Sequence, residues 1–529
     1  MIKNSDKKII NNFKKSIIIL YFLMVGVIVV AQSPIIMESQ IRFFEQNNNY
    51  SDTISHSAIK PFYQHFSKDS NIVMLKFIPI YEAFGGLNKT STLDSIFKTA
   101  NYLINFGIDI NFNIKNKLNI NYLPRFYFYH IFDNLLLNDS CAVGKDKMGL
   151  NSVENYLFSK NYFNFTMSNT INITYQPYDF LKLELANSKN FYGDGYRSLF
   201  LSENAKNYPF LKIETEFAFI KYSFVFAILN TWAKNTNNNY QFIKKYSSFH
   251  FLDIAIGKKL NFGIFESVTS KKLTFDYINP LVFFRPVEYS IDGNDNIQLG
   301  VNLKYNFIKN NLFYCQILID DIIVGQFIND IKHRIKSSYI GEYGWFANKW
   351  AFQIGFKSYN FCNIEKLDYL AEINVVRPYV YSHSSVYENF THGGQALAHP
   401  LGANFIELVS LINYENQYFR FNFKRMYAIT GKDKTANEHK GQNIFLATMD
   451  AYHGDNIPVT SYGNVLLQGE KTAIIVIQPE FSYFVKNKKS LSVNLGYFFR
   501  YERSKTYKNS INFIYLGIRS NISKFEMLY

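Results

Sequence analysis

The sequence has few cysteines for its length: 529 residues contain only Cys141, Cys315 and Cys362. An odd number leaves at least one thiol unpaired, and so small a number excludes a disulfide framework. The sequence has no CxxC pair and no Cys/His cluster with the spacing of a zinc site. Cys315 lies in a strand-like run, where we expect it to fill space rather than to react.

Long apolar runs are missing after the N-terminus. No later stretch reaches the roughly 18 apolar residues of a membrane-spanning helix, which excludes a helical membrane protein. The one long run, Ile17 to Val30, follows a lysine-rich start and is followed by Ala31. This order is typical of a secretory signal peptide, so we predict a signal peptide at residues 1–31, cleaved after Ala31. No cysteine follows to carry a lipid anchor, and an uncleaved membrane anchor is the alternative.

Beyond the lysine-rich start, positive charge is not gathered into one stripe of the chain. The formal net charge is +14, but it is spread along the sequence and accompanies no helix-turn-helix or zinc motif. Nucleic acid is therefore not an expected partner. A dispersed basic surface suits lipopolysaccharide phosphates or an acidic glycan instead.

Alternation of apolar and polar residues is abundant. From Ile297 to Phe307 the two kinds alternate strictly, which places them on opposite faces of a β-strand. Similar runs recur from about residue 71 onward, and roughly 9–11 residues are enough to cross a bilayer as a tilted strand. Charges inside a run, such as Lys212 and Glu214, suit a water-filled lumen.

The predicted fold is all-β: a transmembrane outer-membrane β-barrel of about 16–18 antiparallel strands over residues 71–529. Residues 32–70 are expected to form a short periplasmic N-terminal segment, and a disordered linker is the alternative for residues 46–53. The aromatic content of 18% fits the interfacial girdles of a barrel, although an AT-rich genome would also raise it. A soluble β-sandwich alternates too, but its strands are usually only about 5–6 residues long. The aromatic end, Phe525 to Tyr529, resembles the signal read by the barrel-assembly machinery, so this machinery and outer-membrane lipid are expected partners.

The most distinctive segment runs from Asn190 to Ala205. Gly193 and Gly195 flank Asp194, which predicts a tight bend between two strands. No helix pattern and no Lys-Ser/Thr pair follows, so the segment is not a phosphate-binding loop. On physical grounds alone it is either a well-braced loop or part of a functional site.

This segment resembles the capsule-assembly Wzi family and, within it, the RemB-type gliding-motility outer-membrane proteins. Further similar segments follow in the same order: Asn279–Leu281 with Arg285–Tyr289, then Gly344–Trp350, Ala398–Phe405 and Leu516–Asn521. The resemblance extends over about residues 180–529. It implies a large, non-catalytic barrel that acts as a surface lectin for capsular or other exported polysaccharide. In the gliding subgroup it also implies a surface component of motility, with other gliding components as partners.

A glycan-binding protein needs aromatic platforms for sugar faces, fixed polar groups for hydroxyls, and Arg or Lys for charged sugars. The candidate carbohydrate-binding residues are Asp194, Arg197, Arg285 and Glu288. Arg197, Arg285 and Glu288 could each instead form a salt bridge that braces the barrel from its lumen. The sequence does not decide between these roles.

No catalytic, metal or cofactor site is expected. The loop from His383 to His399 carries three histidines and Glu388 at irregular spacing, which indicates an ordinary loop rather than a metal site. There is no nucleophile elbow, and the adjacent Asp320 and Asp321 cannot flank a sugar as a glycosidase pair does. Two functions therefore remain: retention of surface polysaccharide, with a role in capsule or gliding, and a porin or diffusion channel.

Overall fold

A computed structural model describes residues 59–60, 74–88, 100–115, 117–130, 155–160, 163–234, 240–291, 295–336, 340–435, 438–448, 459–485 and 491–520. The predicted signal peptide, most of the segment 32–70 and the aromatic end at 525–529 lie outside these residues. The signal peptide, the periplasmic segment and the role of the aromatic end therefore remain predictions.

Within the described residues, eighteen long antiparallel strands form a closed barrel. They are β1 Met74–Asn88, β2 Ala100–Ile114, β3 Leu118–His130, β4 Phe163–Tyr178, β5 Leu181–Ser188, β6 Tyr208–Phe217, β7 Ile220–Lys234, β8 Tyr240–Ile256, β9 Leu260–Ser270, β10 Asn296–Ile308, β11 Asn311–Asp321, β12 Lys349–Ser358, β13 Leu367–Val376, β14 Phe405–Glu415, β15 Phe419–Lys432, β16 Glu470–Phe484, β17 Leu491–Arg503 and β18 Lys508–Ser520. Each strand pairs with the next, and β18 pairs with β1 to close the circle. A further strand, Asn155–Lys160, pairs with the first part of β4.

The alternation of the sequence separates the two faces of the wall as predicted. On β10, Leu299 and Val301 are 43% and 38% exposed on the outer face, whereas Gln298 and Asn302 are fully buried on the inner face. The charged residues of β6 also point inward, where the Lys212 ammonium lies 2.7 Å from the Glu214 carboxylate. The predicted transmembrane β-barrel, with an even number of strands in the expected range, is confirmed.

The connections differ in length at the two ends of the barrel. Short turns join β2 to β3, β4 to β5, β6 to β7, β8 to β9, β10 to β11 and β14 to β15. The long connections, among them β5 to β6, β9 to β10, β11 to β12, β13 to β14 and β15 to β16, all leave the opposite end. In barrels of this kind the short turns face the periplasm and the long loops face outward. The end with the long loops is therefore the extracellular end.

Two helices interrupt the long connections: α1 Phe284–Ser290 follows β9, and α2 Val324–Ile335 follows β11. Short 3-10 helices lie at Phe275–Ile278 and Phe361–Asn363. Within the described residues, no helix is long and apolar enough to cross a membrane.

Candidate functional site

The segment that the sequence singled out folds into the barrel. Residues 189–207, which join β5 to β6 and are called the lumen loop here, are almost entirely buried. Phe200 stacks on Phe265 of the inner wall with ring centroids 4.8 Å apart, and Tyr192 stacks on Phe251 at 5.2 Å. The two residues Ile59–Lys60 pair with Phe191–Tyr192 as a short antiparallel strand. The segment is therefore a well-braced loop inside the barrel, and a functional role for it stays a prediction.

Asp194 and Arg197 are held by polar groups of the inner wall. The Asn302 amide donates to the Asp194 carboxylate at 2.9 Å, and the backbone N–H groups of Tyr196 and Arg197 donate to Glu372 at 2.7 and 3.1 Å. The Arg197 guanidinium lies 3.6 Å from the Glu407 carboxylate, and both side chains are buried. These two candidates brace the lumen loop against β10, β13 and β14.

A second long connection, residues 377–404 between β13 and β14, also enters the lumen. The Lys245 and Lys349 ammonium groups on the inner wall donate to its backbone carbonyls at Asn389 and Ser382. Its Tyr381 hydroxyl donates to the Leu199 carbonyl of the lumen loop at 2.8 Å. The two loops therefore pack on each other and on the inner wall.

The three histidines of this second loop each contact a neighbouring polar group. His399 lies 2.7 Å from Glu407, and burial lowers the pKa of His399 despite this carboxylate. Burial also lowers the pKa of His383 to about 4. Among the described residues, no group of three or more His, Cys, Asp or Glu side chains is arranged to hold a metal ion.

Arg285 and Glu288 lie on the other side of the barrel wall. Residues 271–291, which follow β9 and are called the outer flap here, fold back over the outer face of β7 to β10. There the Arg285 guanidinium donates to the Glu288 carboxylate at 2.8 Å. Burial raises the pKa of Glu288, and Arg285 opposes that rise. The alternative of a lumen salt bridge is wrong for this pair, because the backbone N–H groups of Phe284 and Arg285 donate to Glu266, whose register opposite Leu299 places it on the outer face of the wall.

The four candidate residues are therefore not brought together. Asp194 and Arg197 lie in the lumen, and the wall separates them from Arg285 and Glu288 on the outer flap. A role of either pair in carbohydrate binding stays a prediction, but one site cannot contain all four.

We expect the two arginines to differ in their effect on stability. Replacing Arg197 with Ala leaves the buried Glu407 without this cation and should lower the free energy of unfolding by about 3–5 kcal/mol. Arg285→Ala removes an ion pair whose arginine side chain is 44% exposed and should cost about 0–1 kcal/mol. For both variants, the fraction that still migrates as a folded barrel on a gel is measured after heating to a series of temperatures. Equal effects would contradict the assignment of Arg197 as an internal brace.

A separate cleft lies at the extracellular rim, on the outer side of the wall. It has a volume of about 470 Å³ and lies between α2, the segment 343–350 and residues 464–466. Its aromatic side chains are Phe327, Tyr343 and Trp350, and its charged ones include Asp330, Arg334 and Arg377. We call it the rim cleft.

Polar contacts fix the floor of the rim cleft. The Asp330 carboxylate lies 3.3 Å from the Arg377 guanidinium and accepts the Gly344 N–H at 2.5 Å. The His333 ring stacks on Tyr343 with centroids 3.4 Å apart, and the buried Nδ1 of His333 has no hydrogen-bond partner. Arg334 is exposed at the edge. A rigid pocket with aromatic faces and convergent charges can hold a polar, ring-shaped ligand.

Sequence reasoning missed the rim cleft, although it singled out part of it. Gly344–Trp350 stood out only through its family resemblance, and α2 was not predicted. The signal for α2 was the helical spacing of Val324, Ile328, Ile331 and Ile335.

Comparisons with known proteins bear on the fold. No protein-family model matches the chain, and no curated protein matches it either. Among solved structures, Wzi of Escherichia coli, described as a carbohydrate-binding β-barrel of the outer membrane involved in group 1 capsule assembly, is 12% identical with a TM-score of 0.50 and covers 85% of each chain. OprD of Pseudomonas aeruginosa is 8% identical with a TM-score of 0.41 and covers 84% of this chain and 94% of its own. OccAB2 of Acinetobacter baumannii is 8% identical with a TM-score of 0.43 and covers 86% of this chain and 99% of its own.

The structural similarity to Wzi agrees with the closed antiparallel barrel that the described strands form. The chain has the fold of an outer-membrane β-barrel, and the predicted location in the outer membrane is confirmed with it.

Proposed function

We propose that this chain is a non-enzymatic outer-membrane barrel that binds and retains surface or capsular polysaccharide. The observation that carries the proposal is the packing of the lumen loop. Its backbone is fixed to Gln316, Gln353 and Glu372 of the inner wall by buried hydrogen bonds. A barrel that uses its lumen to hold packed loops is better suited to binding at its outer surface than to conduction.

Two further points support a carbohydrate ligand. Wzi, whose fold this chain shares, is described as carbohydrate-binding. The rim cleft provides what a sugar needs: an aromatic face at Trp350, a carboxylate at Asp330 and an exposed cation at Arg334. A role in gliding motility rests on the sequence resemblance alone and belongs to the same proposal.

Polysaccharide binding by the rim cleft can be tested on purified variants. Trp350→Ala and Arg334→Ala should each weaken binding of polysaccharide extracted from the same cells by roughly tenfold, as expected for residues at the centre of a binding site. The matched controls are Trp232→Ala, far along the wall on β7, and Lys258→Ala in a periplasmic turn. Both controls should bind as the wild type does.

The outcomes of this test are distinct. If all four variants migrate as folded barrels and bind equally, the rim cleft is not the site. If the wild type itself binds no polysaccharide, the proposed function fails.

A porin or diffusion channel is the second candidate. The inner wall beside β4, β5 and β6 carries charges, with Lys182 3.4 Å from Glu214, and wide barrels enclose a channel unless something plugs it. Purified protein in planar lipid bilayers distinguishes the two functions. Stable, porin-like conductance steps would favour the channel, and almost no conductance would favour the binding protein.

A further inference from the structure

The outer flap covers polar groups that would otherwise face lipid. Strand parity places His250 and Glu266 on the outer face of the wall, 3.5 Å apart, yet both are buried. Glu266 accepts hydrogen bonds from the backbone N–H groups of Phe284 at 2.9 Å and Arg285 at 3.4 Å. The Phe284 ring also lies 4.1 Å from the His250 ring, centroid to centroid.

The register places this contact at the depth of the membrane. Glu266 lies directly opposite Leu299 on the neighbouring strand, and Leu299 is one of the lipid-facing residues of β10, 43% exposed. Paired strands are only about 4.8 Å apart. The outer flap at Phe284 is therefore beside a lipid-facing side chain, near the extracellular end of the wall.

The outer flap exposes four large apolar side chains among its polar ones. Phe275, Leu281, Phe283 and Tyr289 are 80%, 88%, 70% and 73% exposed. Four large apolar side chains in one short connection would be costly in water. They continue the lipid-facing surface of the wall below them, so the occupant that fits is the same lipid.

Cations lie where the outer flap leaves the barrel. Lys271 and Lys272 directly follow β9 and are exposed, whereas the exposed acid of the flap, Asp276, lies further along the chain. The Lys271 ammonium also lies 4.1 Å from the ring centroid of Tyr387, which belongs to the second loop, so Lys271 lies at the extracellular mouth of the barrel. Apolar side chains beside lysines match a lipid with acyl chains and phosphate groups.

We propose that the outer flap is a lipid-binding element of the outer leaflet. Phe275, Leu281 and Phe283 contact acyl chains, and Lys271 and Lys272 bind the phosphate groups of a phosphorylated glycolipid. The flap thereby also shields the His250–Glu266 pair from hydrocarbon. This inference is independent of the proposed polysaccharide function.

Photo-crosslinking in living cells tests the apolar contacts. A photoreactive phenylalanine analogue is placed at Phe275, Leu281 or Phe283, with Leu299 as the lipid-facing control and Ile364, in a periplasmic connection, as the opposite control. We expect glycolipid adducts at the three flap positions and at Leu299, and none at Ile364. Adducts at Leu299 without any at the flap, or flap adducts with another protein, would overturn the proposal.

Lysine variants test the phosphate contacts. Lys271→Ala with Lys272→Ala should lower the enrichment of phosphorylated glycolipid over neutral phospholipid in the purified protein by roughly tenfold or more. Lys258→Ala with Lys259→Ala, exposed at the periplasmic end of the same β8–β9 hairpin, is the matched control and should leave the enrichment unchanged. Equal enrichment in both folded double variants would exclude the lysines as phosphate ligands.

Discussion

Replacing Gly195 with Ala should displace the lumen loop from the inner wall and raise the ionic conductance of the barrel. A Cβ at this position would lie 2.4 Å from the Arg197 carbonyl oxygen and 2.6 Å from both Gln353 Oε1 and Glu372 Oε2. Real Cβ atoms do not approach other atoms so closely, so the backbone from Gly195 to Arg197 must shift, and the Gln353 and Glu372 side chains that hold it must shift too. The hydrogen bonds from Tyr196 and Arg197 to Glu372 would then be lost.

Gly325→Ala is the matched control for this variant. Gly325 lies in α2, and a Cβ there would meet nothing within 4 Å. Single-channel recording in planar bilayers should show little conductance for the wild type and Gly325→Ala, and clear steps for Gly195→Ala. If Gly195→Ala stays folded and its conductance is as low as that of the control, the lumen loop is not what closes the barrel.

Placing an arginine on the lipid-facing side of β10 should destabilise the barrel strongly. Val301 is near the middle of β10 on its exposed outer face. Because a charged side chain must then enter hydrocarbon, Val301→Arg should lower the free energy of unfolding by about 2–4 kcal/mol. Denaturant unfolding in lipid vesicles measures this loss.

The control for Val301→Arg must face the lumen and have room for a longer side chain. Asn302 is unsuitable, because it is fully buried against Asp194 of the lumen loop. Thr174 of β4 is suitable: it is only partly buried and pairs across the strands with Glu184, which an arginine could neutralise. Thr174→Arg should cost less than 1 kcal/mol, and an equal cost for both variants would contradict the assignment of the two faces.

The strands could be predicted because a period of two is a local property of the sequence. The run Ile297–Phe307 corresponds to β10, Asn296–Ile308, and its apolar residues face outward as expected. A one-residue shift would exchange the two faces, so the alternation fixes both the strand and its orientation.

The paths of the long connections could not be predicted in the same way. The lumen loop is held by Glu372, 176 residues away from Tyr196 in the chain, and no local pattern reports such a contact. The outer flap shows the same difficulty, because the sequence around Arg285 does not indicate which side of the wall it will cover. The pairs Asp194/Arg197 and Arg285/Glu288 looked equivalent in the sequence. In the structure the first pair lies inside the barrel wall and the second pair lies outside it.

Retention of polysaccharide by living cells tests the central claim most directly. The gene for this chain is deleted in the cell that carries it and restored on a plasmid, and the surface polysaccharide that stays with washed cells is measured against that released into the medium. If the barrel retains polysaccharide, the deletion should shift it from the cells to the medium and the restored gene should reverse the shift. Unchanged retention in the deletion strain, with outer-membrane barrels otherwise intact, would contradict the proposed function.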